Sequence, residues 1–188
     1  MRCRLLLLFV LPLFLSGCQG QSRQMQAVAD FRTQLLQSGG CGFQATVEAQ
    51  YDNYANEFVL QCAYHTADDT LSFSVLEPEP IASLSGTVGQ NRKTVSFDDA
   101  ALELELLADG RVAPVALPQL IAQSWAKGYI LSAGQDREYT VAVFQNGYED
   151  DTIKIETWFE NGSPVYADVW YGEKCQAGID LDSFYFQK

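Results

Sequence analysis

Phe43-Gln44-Ala45-Thr46-Val47-Glu48-Ala49-Gln50 decides the fold, because its odd positions are apolar and its even positions polar. A period of two puts alternate side chains on opposite faces of an extended chain, so this stretch reads as a strand with one buried face. Phe58, Leu60, Cys62 and Tyr64 continue that face after the polar turn Asp52-Asn53-Tyr54-Ala55-Asn56. Leu71, Phe73 and Val75 supply a third strand, reached through Ala67-Asp68-Asp69. The opening is therefore a meander. Glu77-Pro78-Glu79-Pro80 breaks it, and Ile81 to Gly86 reads as a turn or a single helical turn at a sheet edge.

Pairing resumes with Gly86 to Val88, Thr94 to Phe97, and Leu102, Leu104 and Leu106, ending at the turn Ala108-Asp109-Gly110. Leu117-Pro118 followed by Leu120, Ile121, Ala122 and Trp125, and closed by Gly128, is a helix with Pro in its first turn and Gly past its end. Four more alternating runs lie near Glu138 to Phe144, Thr152 to Phe159, Val165 to Tyr171 and Lys174 to Leu181. Asn146-Gly147, Asn161-Gly162 and Gly172 supply the turns between them. Ahead of the first strand, Met25, Val28, Phe31, Leu35 and Leu36 recur at steps of three and four, and Gly39-Gly40 ends that helix. Its polar face is rich in glutamine rather than basic residues, which favours packing on a core over lying on a membrane. The expected class is α+β, mainly antiparallel β: a curved sheet or half-barrel of about ten strands with two covering helices, because a twisted sheet of that size curls.

The first residues carry an address. Arg2 and Arg4 precede an apolar run from Leu5 to Leu15, as in a secretory signal too short to cross a bilayer. Leu15-Ser16-Gly17-Cys18 resembles the lipobox of bacterial lipoproteins, which implies cleavage after Gly17, diacylation of the Cys18 thiol and retention at a membrane surface. The expected plan is residues 1–17 signal peptide, 18–23 acylated tether and 24–188 one domain. Without its signal the chain keeps ten basic against 24 acidic residues, a net charge of −14. Nucleic acid and anionic headgroups would repel it, so the membrane is reached through the lipid.

Three cysteines remain in the domain besides Cys18: Cys41, Cys62 and Cys175. Cys41 and Cys62 flank the first hairpin on the parity of its apolar face, which makes them either a disulfide pair or two buried thiols. Direct opposition of the two would centre the turn between Tyr51 and Asp52. Cys175 is expected to be reduced and mostly buried, in a last hairpin lying away from the first. No cofactor or metal site is expected, since no Cys-x-x-Cys spacing exists and His65 is the single histidine. Its parity turns it toward solvent, and no nucleophile elbow accompanies it. Asp98-Asp99 and Glu149-Asp150-Asp151 are the tight carboxylate clusters, able to serve Ca²⁺ or a hydrolase but equally ordinary as solvated turns. Trp125, Trp158 and Trp170 are the candidates for a ligand or partner surface, with core packing the alternative. Trp158 and Trp170 stand out because each is out of phase with the apolar face of its strand.

The order of elements, with its acyl cysteine, leading helix, meander, mid-chain helix and closing hairpins, resembles the LolA/LolB lipoprotein-carrier superfamily. Pro164-Val165-Tyr166-Ala167-Asp168-Val169 and Phe184-Tyr185-Phe186 are similar to its last strands and aromatic tail. The resemblance is closest to Gram-positive LolA-like lipoproteins, among them a spore-germination lipoprotein that docks onto a cell-wall amidase. It implies an open half-barrel and a non-enzymatic lipoprotein on the extracytoplasmic face of the cell membrane. Such a module would bind a lipid or acyl chain, or dock an envelope protein. The alternative is a cell-envelope hydrolase using a carboxylate cluster.

Overall fold

The computed structural model describes residues 19–51, 54–82, 84–89, 92–97, 100–103, 107–108, 111–112, 114–146 and 153–188. Helix α1 (Gln19–Gln37) leads into β1 (Gly40–Tyr51), β2 (Tyr54–His65), β3 (Thr70–Glu77), β4 (Ser85–Gly89), β5 (Arg92–Phe97) and β6 (Ala100–Glu103). A small hairpin, β7 (Leu107–Ala108) and β8 (Arg111–Val112), precedes helix α2 (Leu117–Lys127). The chain ends in β9 (Tyr129–Asp136), β10 (Tyr139–Asn146), β11 (Ile153–Glu160), β12 (Ser163–Tyr171) and β13 (Lys174–Phe186).

Eleven strands form one antiparallel sheet in the order β6-β5-β4-β3-β2-β1-β13-β12-β11-β10-β9, and β7 and β8 pair separately. Two meanders therefore meet at β1 and β13, where Ala45 faces Leu181 and Val47 faces Ile179. The last hairpin lies beside the first strand, not away from it, because the aromatic end of β13 continues the apolar row of β1. The sheet is an open, curved one, as its strand alternation required.

The alternation read from Phe43 is the buried face: Phe43, Ala45, Val47, Leu60, Tyr64, Leu71, Ala142, Phe144, Ile155, Ala167, Val169 and Ile179 are almost wholly inaccessible. On α1 the stripe is Val28, Phe31 and Leu35, with Met25 packed at its margin. Leu36 leaves the stripe and is 49% exposed, since one residue past Leu35 turns about 100° around the helix. The helix begins at Gln19, so residues 19–23 form its first turn instead of a separate tether. Gly40 starts β1 where a Cβ would strike the Tyr64 carbonyl, which is why the helix-to-strand corner needs glycine.

Candidate functional site

Trp125 lies at the centre of the buried face. It is wholly inaccessible, and its indole N–H donates to the Thr157 hydroxyl at 3.0 Å. Phe31 of α1 meets it edge-on at 5.9 Å between ring centroids, with Phe43 at 5.6 Å and Phe184 at 6.1 Å on other sides. Leu117, Ile121, Ala122 and Ala126 of α2 are buried with it. This tryptophan is thus a core residue and not part of an exposed ligand or partner surface: the stripe of α2 at steps of three and four points straight at the sheet.

Two polar ties hold α2. At its C-terminal end the Gly128 N–H donates to the Ser124 carbonyl at 2.9 Å, and Arg32 of α1 adds a charged donor: its guanidinium donates to the carbonyls of Trp125 at 2.7 Å, Ser124 at 3.2 Å and Gly128 at 2.6 Å. The same guanidinium lies over the Phe144 ring at 5.6 Å. Across the helix, the buried Asp69 accepts from the Tyr64 hydroxyl at 2.7 Å and the Gln123 amide at 2.6 Å, and pairs with Lys127 at 3.1 Å. Burial and the hydrogen bond to Asp69 push the Tyr64 phenol well above its ordinary range. Neither tie was read from the sequence, where Asp69 belongs to the turn Ala67-Asp68-Asp69.

The opposite face of the sheet carries the other two tryptophans. Trp158 and Tyr166 stand across from each other with ring centroids 5.3 Å apart. The Tyr166 ring reaches over Gly178, where a Cβ would collide with its hydroxyl, and that hydroxyl donates to Asp168 at 2.8 Å. Trp170 lines a shallow groove of about 290 Å³ with Val143, Lys154, Glu156, Gly172 and Glu173. Its buried indole N–H has no hydrogen-bond partner among the described residues. Trp158 and Trp170 are each partly buried on this outer face, as their phase required.

Glu156 sits directly opposite Asp168 here, and burial first, then Asp168 and Asp136, push its carboxyl above the ordinary glutamate range. A carboxyl raised in the folded state makes the fold bind more protons than the unfolded chain, so stability falls as pH rises from the ordinary to the raised value. Glu156→Gln is therefore expected to stabilise the domain at neutral pH, by under about 1 kcal/mol because water screens the site. The gain should vanish in acid. Urea melts of both proteins at neutral and acidic pH check it, and an equal difference at both would contradict the assignment.

The register settles how the cysteines lie. Cys41 faces Tyr64 and Cys62 faces Phe43, so the two are diagonal on one buried face, and both thiols are free. Tyr51 pairs with Tyr54, which puts the centre of the β1–β2 register one residue beyond the position that direct opposition needed. Diagonal strand neighbours stand about 7–8 Å apart, too far to bridge without moving the backbone. Burial pushes the Cys41 thiol up to about 12 and Cys62 higher still. Cys175 is exposed, not mostly buried: a bulge at Val169/Trp170 shifts its strand by one residue and sets it opposite the outward Trp170. Of Cys41, Cys62 and Cys175, an alkylating agent is expected to modify Cys175 alone in the native protein, and all three after denaturation without reductant. A linked Cys41–Cys62 peptide would contradict this.

His65 is exposed on β2 opposite Gly40, as its parity required. Cys18, Asp98-Asp99 and Glu149-Asp150-Asp151 lie outside the described residues. Among the described residues, no cluster of His, Cys, Asp and Glu suits a metal ion, and no helix is long and apolar enough to cross a membrane.

No family model and no curated protein matches the chain. Solved structures do share its architecture. A domain from Vibrio parahaemolyticus described as outer membrane lipoprotein-sorting aligns with a TM-score of 0.50 at 8% identity, covering 87% of this chain and 92% of its own. A LolA superfamily protein from Nitrosomonas europaea aligns at 0.45 and 9% identity, covering 87% and 93%. An uncharacterized conserved protein from Thermus thermophilus aligns at 0.44 and 11%, covering 87% and 88%. At these identities the likeness is one of fold: an open, curved antiparallel sheet with two helices on its inner face, shared with the Vibrio parahaemolyticus domain.

Proposed function

We propose that the mature protein is a non-enzymatic lipoprotein of the cell envelope, acylated at Cys18, that docks a protein partner instead of carrying an acyl chain. One observation carries the choice between the two: Phe31, Leu35, Ile121 and Trp125 of the two helices fill the described part of the inner face, which an acyl chain would otherwise occupy. The likeness to a domain described as lipoprotein-sorting is compatible with either kind of cargo and supports a binding role over catalysis. The nearness to spore-germination lipoproteins rests on the sequence pattern alone, and the hydrolase alternative rests on carboxylate clusters outside the described residues.

The second reading, acyl-chain binding, has its own support in the polar ties of α2. Breaking the Arg32 and Asp69 contacts would let the helix swing away and uncover Phe43, Phe144 and Ile155. Native mass spectrometry of the purified domain separates the readings. A mass equal to the polypeptide, with no extractable lipid, is expected. Stoichiometric co-purified lipid would overturn the choice of partner class.

A further inference from the structure

We propose that the outer face of β11 and β12 is a docking patch for an arginine side chain carried on an extended segment of a protein partner. This rests on the reading of the protein as a docking module and names the chemistry of what it docks.

Six side chains make the patch. Cross-strand register sets Lys154 opposite Trp170, Glu156 opposite Asp168, and Trp158 opposite Tyr166, and all six are partly exposed. Residues two apart on a strand share a face at about 6.8 Å, so the two carboxylates lie between the Trp158 and Tyr166 row on one side and Trp170 on the other. Like charges placed directly opposite each other destabilise a strand pair. Asp136 adds to the field on Glu156, and Asp180 stands opposite Tyr166 at the margin. Lys154 is the basic member of the six, yet among the described residues it forms no ion pair with either carboxylate. From the described residues, the Tyr166 hydroxyl is the side-chain donor that reaches the pair.

A cation set between the carboxylates removes their repulsion, and aromatic faces on both sides attract it further. A guanidinium suits the place better than an ammonium, because its planar fork bonds two carboxylates at once and stacks on an indole. The groove beside the pair, lined by Val143 and Trp170, gives the alkyl stem an apolar wall. The buried indole N–H of Trp170 lacks an acceptor among the described residues. The carbonyls of an extended polypeptide supply one when the ring turns toward the groove, whereas a small polyamine has none.

The test uses the full-length protein labelled with fluorotryptophan in zwitterionic micelles, where fluorine NMR follows Trp125, Trp158 and Trp170 separately. The probe is a capped Gly-Arg-Gly-Arg-Gly peptide at about 0.15 M ionic strength, which screens exposed charges farther apart than about 8 Å. Saturable shifts of the Trp158 and Trp170 signals are expected, with Trp125 unmoved and no response to the citrulline counterpart of the peptide. Glu156→Gln with Asp168→Asn should weaken binding about tenfold, while Glu57→Gln with Glu77→Gln, which removes the same charge from exposed positions on β2 and β3, should leave it unchanged. Dispersed fluorine signals verify the fold of each variant. Equal loss in the two variants, or equal binding of the citrulline peptide, would overturn the patch. An equal response to spermidine would overturn the polypeptide segment in favour of a small polyamine. Lipid co-purifying in native mass spectrometry would overturn the docking reading instead, a result that is read apart from the fluorine shifts.

Discussion

Trp125→Ala is expected to destabilise the domain by about 3–5 kcal/mol, the range for deleting a large aromatic side chain from a packed core. The wholly buried indole touches Phe31 of α1, Phe43 of β1 and Phe184 of β13, so its loss leaves a cavity where three elements meet. Trp125→Phe keeps most of that volume but removes the donor to Thr157, whose side chain is wholly buried, and should cost about 1–3 kcal/mol. Urea denaturation of the three proteins, followed by far-ultraviolet circular dichroism, reads both values. If alanine costs no more than phenylalanine, Trp125 does not occupy the centre of the core.

Arg32→Ala should cost about 2–4 kcal/mol, since it strips a charged donor from three carbonyls at the end of α2 and removes the cation from the Phe144 ring. Arg32→Lys should recover only part of this, because a single ammonium cannot reproduce the planar fork that spans Ser124, Trp125 and Gly128. Hydrogen exchange adds a local readout: amides of α2 should lose protection in Arg32→Ala while those of β1 and β2 keep theirs. A uniform loss across the domain would mean that Arg32 does not act on α2 in particular.

Most of the architecture was written locally. The period-two runs gave the meander of β1 to β3 and the closing hairpins, and the three-and-four spacing gave both helices. Strand β9 escaped because Tyr129-Ile130-Leu131 places three apolar residues in succession, and a bulge at Val143/Phe144 lets outward Leu131 and inward Ile130 sit side by side. The bulge at Val169/Trp170 likewise reversed Cys175, since a period of two turns every later side chain over when one residue is inserted. The pairing of β1 with β13 joins residues more than a hundred positions apart, and no local pattern encodes it.

The candidate site was legible only in part. Parity separated the tryptophans on strands correctly, so Trp158 and Trp170 face outward while the buried rows face the helices. Trp125 needed the helix phase together with the knowledge that a sheet lay beneath it. Arg32 and Asp69 act through backbone carbonyls and a helix end brought to them by the tertiary fold, and neither residue type announces such a partner. The Cys41 and Cys62 thiols share a face as read, but the turn position fixed by Tyr51 and Tyr54 moved them out of opposition.

The central claim is that the two helices fill the described part of the inner face, where an acyl chain would otherwise lie. Trp125 reports on this directly in the Trp158→Phe, Trp170→Phe double variant, where it is the remaining tryptophan. Its emission should be unaffected by titration with a brominated fatty acid, because Phe31, Phe43 and Phe184 already surround the ring. Saturable quenching at stoichiometric fatty acid would contradict the account and assign the inner face to acyl-chain binding.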